Sequence, residues 1–143
     1  MLGITQVLLA LTTLASPTQM AAAPVCSGAA TAIATVRAYP PTDGDSGINL
    51  YRIGVTVENV GAGKQAGNTL DSVVMYQQGV KTDVKGLRPL AAGASQTVIF
   101  SFQRSTDAGR GTTKLRFRVA SNQPNLPRDP NCNAASDTAS TTV

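Results

Sequence analysis

The sequence contains no histidine and no tryptophan, and charged residues make up only 14% of it. Each shortage closes off a class of function. Without His there is neither the commonest general base nor the commonest metal ligand, so a Ser-His-Asp or Cys-His catalytic arrangement lacks its base. With three Tyr and three Phe there is little from which to build the stacking platform that single-stranded nucleic acid needs. Twelve basic residues against eight acidic leave a net charge of +4, which favours anionic surfaces without naming one. The eight acids are scattered over turns and strand edges, and their spacing does not suggest the carboxylate pair of a glycoside hydrolase.

Long hydrophobic runs are missing as well. The apolar stretch at residues 7–15 (VLLALTTLA) is too short to span a bilayer. Followed by Ser16-Pro17 and then Ala21-Ala22-Ala23, it has the length and small-residue ending of a secretory signal peptide, although no Lys or Arg precedes it. Cleavage is expected after Ala22, leaving residues 1–22 as signal and 23–143 as one domain, secreted, periplasmic or held at the cell surface. The two cysteines fit export. Cys26 follows the cleavage site and Cys132 lies near the other end, and a Cys26–Cys132 disulfide in an oxidising compartment is the favoured pairing. A lipid anchor on Cys26 is set aside, because no small residue stands just before it.

What the chain does have is β-strand pattern. Runs of period two recur at residues 31–38, 48–57, 69–77, 80–87, 96–102, 113–119 and 138–143, separated by Gly, Pro, Asp and Asn. In the second run Tyr51, Ile53, Val55 and Val57 alternate with Arg52, Gly54, Thr56 and Glu58, the signature of a half-buried strand. Such a chain is expected to be all-β, an immunoglobulin-like antiparallel β-sandwich of about seven strands. The stretch Gly61-Ala62-Gly63-Lys64-Gln65 has the look of a phosphate loop but fails its requirements. Glu58 stands where the first glycine is needed, Gln65 stands where Ser or Thr should follow the lysine, and a strand rather than a helix comes next. Its glycines are expected to supply positive φ where the chain crosses between strands.

Several segments, taken in order, resemble a known family. Val57-Glu58-Asn59-Val60-Gly61 is similar to the strand-ending V-x-N-x-G of CARDB domains, the bacterial cell-adhesion-related modules. Val73-Val74-Met75-Tyr76-Gln77-Gln78-Gly79 is similar to the family's V-x-l-Y-x-x-G strand, and residues 87–98 (LRPLAAGASQTV) to its L-x-x-L-a-a-G-x-s-x-t-v segment. Asn131-Cys132-Asn133-Ala134-Ala135-Ser136 resembles the Asn-rich approach to the last strand, so that the likeness runs over residues 29–143. It departs from the family in lacking acidic residues after Val119, apart from Asp129, and in placing Cys132 within the Asn pair. The resemblance implies a non-catalytic extracellular binding or structural module, with no cofactor.

The candidate surface is a basic row. Period two puts Lys114, Arg116 and Arg118 on one face of the run at residues 113–119 and Leu115, Phe117 and Val119 on the other. The resemblance implies that this strand pairs with the third and last. The outward row of the third is then either Asp71, Val73, Met75 and Gln77 or Ser72, Val74 and Tyr76, and Met75 joins the three cations as the candidate binding face. A cell-surface glycan or protein is the expected partner, with no nucleic acid and no membrane span. An inhibitor or accessory subunit docking on an enzyme through Lys64, Arg104 and Arg110 is the alternative. Asp43-Gly44-Asp45-Ser46-Gly47 has the spacing of oxygen ligands, but Gly47 stands at the third ligand position and a tight turn explains the residues, so no metal is expected. The expected bridge gives the first prediction. Thiol titration of the denatured, unreduced exported protein is expected to find no free thiol, and two would exclude the Cys26–Cys132 disulfide.

Overall fold

A computed structural model describes residues 28–43, 47–106, 111–121 and 137–143. Residues 1–22, expected from sequence to be a signal peptide, Cys26, Cys132, Arg110 and the middle of the Asp43–Gly47 loop lie outside the described residues. Eight strands are present: β1 (Thr31–Ala38), β2 (Thr42–Asp43), β3 (Ile48–Asn59), β4 (Asp71–Gln77), β5 (Val80–Leu87), β6 (Ser95–Ser105), β7 (Lys114–Ser121) and β8 (Thr138–Thr142). Seven fall on the periodic runs. The eighth, β2, is a two-residue strand within the stretch read as a loop, where Thr42 and Asp43 pair with Leu50 and Asn49.

All pairings are antiparallel, in two sheets. In the first, β3 is central, with β1 and β2 along one side and β6 along the other; the second runs β5-β4-β7-β8. The pleat turns Ile53, Val55, Val57, Val98 and Phe100 of the first sheet toward Val73, Met75, Leu115, Phe117 and Val119 of the second, and these residues form the core. Phe100 and Phe117, both fully buried, meet across the layers with ring centroids 5.2 Å apart at 51°, a tilted aromatic contact that contributes roughly 0.5–1.5 kcal/mol beyond area burial. A two-residue hairpin joins β4 to β5, with Gln78 and Gly79 at φ of 50° and 77°. Two successive left-handed residues make the turn whose twist suits a β-hairpin.

Three polar residues, Asn59, Thr69 and Asp71, are buried beside this apolar material. Asn59, at the end of β3, is fully buried. Its Oδ1 accepts from the N–H groups of Ala30 and Gly61, each at 3.1 Å, and its Nδ2 donates to the carbonyls of Gly63 at 2.8 Å and Leu90 at 3.1 Å. Its own N–H donates to Ala94 O, and its carbonyl accepts from Gly93 N–H. Gln65 completes the junction: its Oε1 accepts from Leu90 N–H at 2.9 Å and its Nε2 donates to Asp71 Oδ2 at 2.7 Å. The glycine-rich stretch is therefore a structural junction, but not for the reason expected from sequence. Positive φ among the described glycines falls on Gly47, Gly79 and Gly93, not on Gly61, Gly63 or Gly67. Gly61 is required by proximity instead, since a Cβ there would lie 1.8 Å from Gly28 O and 2.9 Å from Ala30 N.

These contacts predict a steep local sensitivity. Asn59→Ala removes the partner of the Ala30 and Gly61 N–H groups and of the Gly63 carbonyl, leaves Leu90 O with Gln65 N–H alone, and is expected to lower unfolding free energy by roughly 3–5 kcal/mol. Gly61→Ala is expected to cost at least about 2 kcal/mol by overpacking. Gly67→Ala, with open space around its Cβ position and no positive φ, serves as the neutral control. Denaturant titration measures all three, and a Gly61→Ala protein as stable as Gly67→Ala would remove the proximity explanation.

Candidate functional site

The site is built on the outer face of the four-stranded sheet. In β7 the residues alternate strictly: Leu115, Phe117 and Val119 are buried, and Lys114, Arg116 and Arg118 are exposed. Alternate residues of a strand stand about 7 Å apart, so the three cations form an evenly spaced row. Cross-strand register supplies the neighbours. Arg116 is opposite Tyr76 of β4 and Ser140 of β8, Arg118 is opposite Val74 and Thr138, and Lys114 is opposite Thr142. On the far side of β4, Tyr76 is opposite Lys81 of β5, which brings a fourth cation to the face.

Arg116 Cζ lies 5.0 Å from the centroid of the Tyr76 ring, a cation–π distance that holds the guanidinium against the sheet. Beside it is an open depression of about 340 Å³ lined by Tyr76, Gln78, Thr113, Lys114 and Arg116 among others. Among the described residues the single ion pair is Lys85–Asp83 at 3.8 Å, on the β5 edge. The four cations of the face thus have no counter-charge among the described residues, and their fields add. Chemically, the surface offers unpaired positive charge, one aromatic face and a rim of hydroxyls.

The structure brings together Lys114, Arg116 and Arg118, as the alternation in β7 requires. It does not bring Met75 to them. Met75 is 3% exposed and opposite Phe117, so it belongs to the core, and Tyr76 takes the outward position beside Arg116. The correction is one of register: both rows of β4 contain apolar residues, and only pairing with β7 decides which row faces the core. Tyr76 belongs to the row that the sequence left as one of two alternatives, and Lys81 is the residue of this face that sequence reasoning missed. A tyrosine beside a methionine offers a weak signal, since its hydroxyl favours the wet side.

The loop residues of the alternative reading fare differently. Lys64 is exposed in the loop after Asn59, whereas Arg104 is opposite Asn49, near the other end of β3. Arg104 is also committed internally: it donates to Gly111 O, to Thr113 Oγ1 at 2.6 Å and to Val143 O at 2.6 Å, and it lies over the Tyr51 and Phe102 rings. It ties the end of β6 to the β7–β8 end of the opposite sheet. Lys64 and Arg104 do not form one surface.

No sequence-family model matches the chain, and no curated protein matches it. Solved structures do match. The crystal structure of the CARDB domain of the PF1109 protein from Pyrococcus furiosus, in complex with di-metal ions, is 16% identical over 80% of this chain and 91% of that one, with a TM-score of 0.52. The solution NMR structure of the same domain is 19% identical over 82% of this chain and 94% of that one, with a TM-score of 0.51. At these identities the likeness is one of fold: the chain is an all-β sandwich like the CARDB domain. Among the described residues no three His, Cys, Asp or Glu side chains converge as a metal site would require. No helix among the described residues is long and apolar enough to cross a membrane.

The register makes a stability prediction. Met75→Ala is expected to lower unfolding free energy by roughly 2–4 kcal/mol, as for other buried methionines. Tyr76→Ala, on the wet face, is expected to cost less than about 1 kcal/mol. The reverse order in denaturant titrations would mean that the outward row of β4 has been misassigned.

Proposed function

We propose that this CARDB-like sandwich is an exported, non-catalytic, adhesion-related module that binds an anionic cell-surface glycan on the outer face of β5-β4-β7-β8. The observation that carries the reading is the row Lys114, Arg116 and Arg118, joined by Lys81 and lacking counter-charge among the described residues. A polyanion with repeating carboxylate, sulfate or phosphate groups matches a repeating row of cations, and the Tyr76 ring offers a flat apolar face for a sugar ring. Ser140 and Thr142 border the row with hydroxyls suited to a polyol. Each exposed ionic contact contributes only about 0.2–1 kcal/mol, so binding through this face is weak per site and depends on ligand length. Salt screens such contacts over a Debye length of about 8 Å at physiological ionic strength.

The residue chemistry supports a binding role over a catalytic one. The chain has no His. Of its buried or paired carboxylates, Asp71 accepts from Gln65 and Asp83 pairs with Lys85, so neither is teamed with a second acid. Docking on an enzyme through the loops has less support, because Arg104 is spent on holding the two sheets together.

The test is retention on an immobilised sulfated polysaccharide, with a neutral polysaccharide as control. The wild-type chain is expected to be retained on the sulfated matrix alone and to elute as salt rises. The combined Lys114→Ala, Arg116→Ala and Arg118→Ala variant is expected to elute at markedly lower salt with an unchanged β-sheet circular dichroism spectrum. Elution at the same salt as wild type would reject this face as the site.

A further inference from the structure

Four strand edges bound the two sheets, and three of them carry features that discourage pairing with another chain. The β1 edge is broken by a bulge between Ile33 and Thr35. The β5 edge has a bulge opposite Met75 and Tyr76 and carries Lys81, Asp83 and Lys85. The β8 edge is five residues long. Bulges, charges and brevity are the usual protections of a free edge. The β6 edge has none of them. It runs eleven residues, Ser95–Ser105, contains no proline, stays in unbroken register with β3, and bears its one charge, Arg104, near its end.

The hydrogen-bond phase of β6 shows which groups are free. The Asn59 N–H donates to Ala94 O and the Thr106 N–H donates to Gly47 O, placing both even-numbered positions in bonds toward the β3 side. Backbone groups alternate in direction along an antiparallel strand, so the even residues between them also face β3. The odd residues Ser95, Thr97, Ile99, Ser101 and Gln103 then direct N–H and C=O outward, and none of these groups bonds to the backbone of another strand or loop among the described residues.

We propose that the free edge of β6 pairs antiparallel with β6 of a second copy of this chain, about a two-fold axis through Ile99. The occupant follows from symmetry and charge. Ile99 is the midpoint of the five outward-directed residues, so a two-fold axis there sets Ile99 against Ile99, Thr97 against Ser101 and Ser95 against Gln103. Every outward N–H and C=O from Ser95 to Gln103 thereby gains a partner. No charged residue is brought opposite its own copy, a juxtaposition that would be destabilising. Ile99, 44% exposed in the single chain, becomes an apolar cross-strand pair at the centre. Directly opposed residues of an antiparallel ladder share a face, so the axis runs perpendicular to the sheet. The β5-β4-β7-β8 sheets of the two copies then lie on the same side of the dimer, and both basic rows point the same way. A long polyanion could engage both rows at once, and such bivalency raises apparent affinity without any new contact.

Two chains of net charge +4 repel each other, so dimerisation is expected to strengthen as salt rises, the opposite of the glycan interaction. Sedimentation equilibrium of the purified chain over a range of concentration and salt tests this. Wild type is expected to shift from monomer toward dimer mass with concentration, more strongly at high salt. Ile99→Lys, which sets like charges opposite each other on the axis, is expected to remain monomeric with an unchanged circular dichroism spectrum and unfolding midpoint. Val84→Lys on the β5 edge is expected to dimerise like wild type. A wild-type chain that stays monomeric at every concentration and salt, or an Ile99→Lys chain that dimerises as wild type does, overturns the proposal. So does a wild-type monomer that instead takes up an unrelated extended peptide along β6.

Discussion

A single carboxamide holds the end of this sandwich together. Asn59 stands where β3 gives way to a loop, and around it gather the segment that leads into β1, the loop that leaves β3 and the connection between β5 and β6. Each brings backbone groups that burial separates from water. An asparagine side chain has both an acceptor and a donor, so it answers N–H groups with one atom and carbonyls with the other. An aspartate at that point would leave the carbonyls without a donor, and a leucine would leave both kinds unmet. Apolar packing holds the layers together in the middle of the sandwich, and this polar junction sets how the crossing segments meet at its end.

The motifs that resemble CARDB domains gain a physical meaning from that junction. In V-x-N-x-G the asparagine is the hub, and the glycine makes room for the backbone of Gly28 and Ala30. In L-x-x-L-a-a-G, Leu87 enters the core, Leu90 is buried with its carbonyl taken by Asn59 Nδ2 and Gln65 N–H, and Gly93 turns with φ of 74° so that its N–H reaches Asn59 O. Two motifs thirty residues apart in sequence are thus halves of one structure.

The basic face depends on the same pleat that builds the core. Leu115, Phe117 and Val119 must turn inward because they fill the space against Phe100 and Val98, and that obliges Lys114, Arg116 and Arg118 to turn out. The outward row was legible in β7, where charged and apolar residues alternate without exception. In β4 it was not: Val73, Val74 and Met75 are three apolar residues in succession, and all three are buried, although Val74 lies on the outer side between Val84 and Arg118. A run of that kind carries no phase. The role of Arg104 was hidden for a related reason, because its partners at Thr113 and Val143 are distant in sequence and adjacent only after the two sheets have closed.

By itself the sequence determined seven of the eight strands, their approximate ends, the all-β class and the identity of the residues on the two sides of β7. These follow from alternation and turn chemistry, which act between near neighbours in the chain. Only the tertiary structure decided the row of β4 that meets Arg116, the glycine needed for room rather than for φ, the side of β6 that is left open, and the tying of Arg104 to the last strand. Each of these is a matter of register or approach between segments far apart in sequence, and no local pattern encodes a distance that exists only once the two sheets are packed.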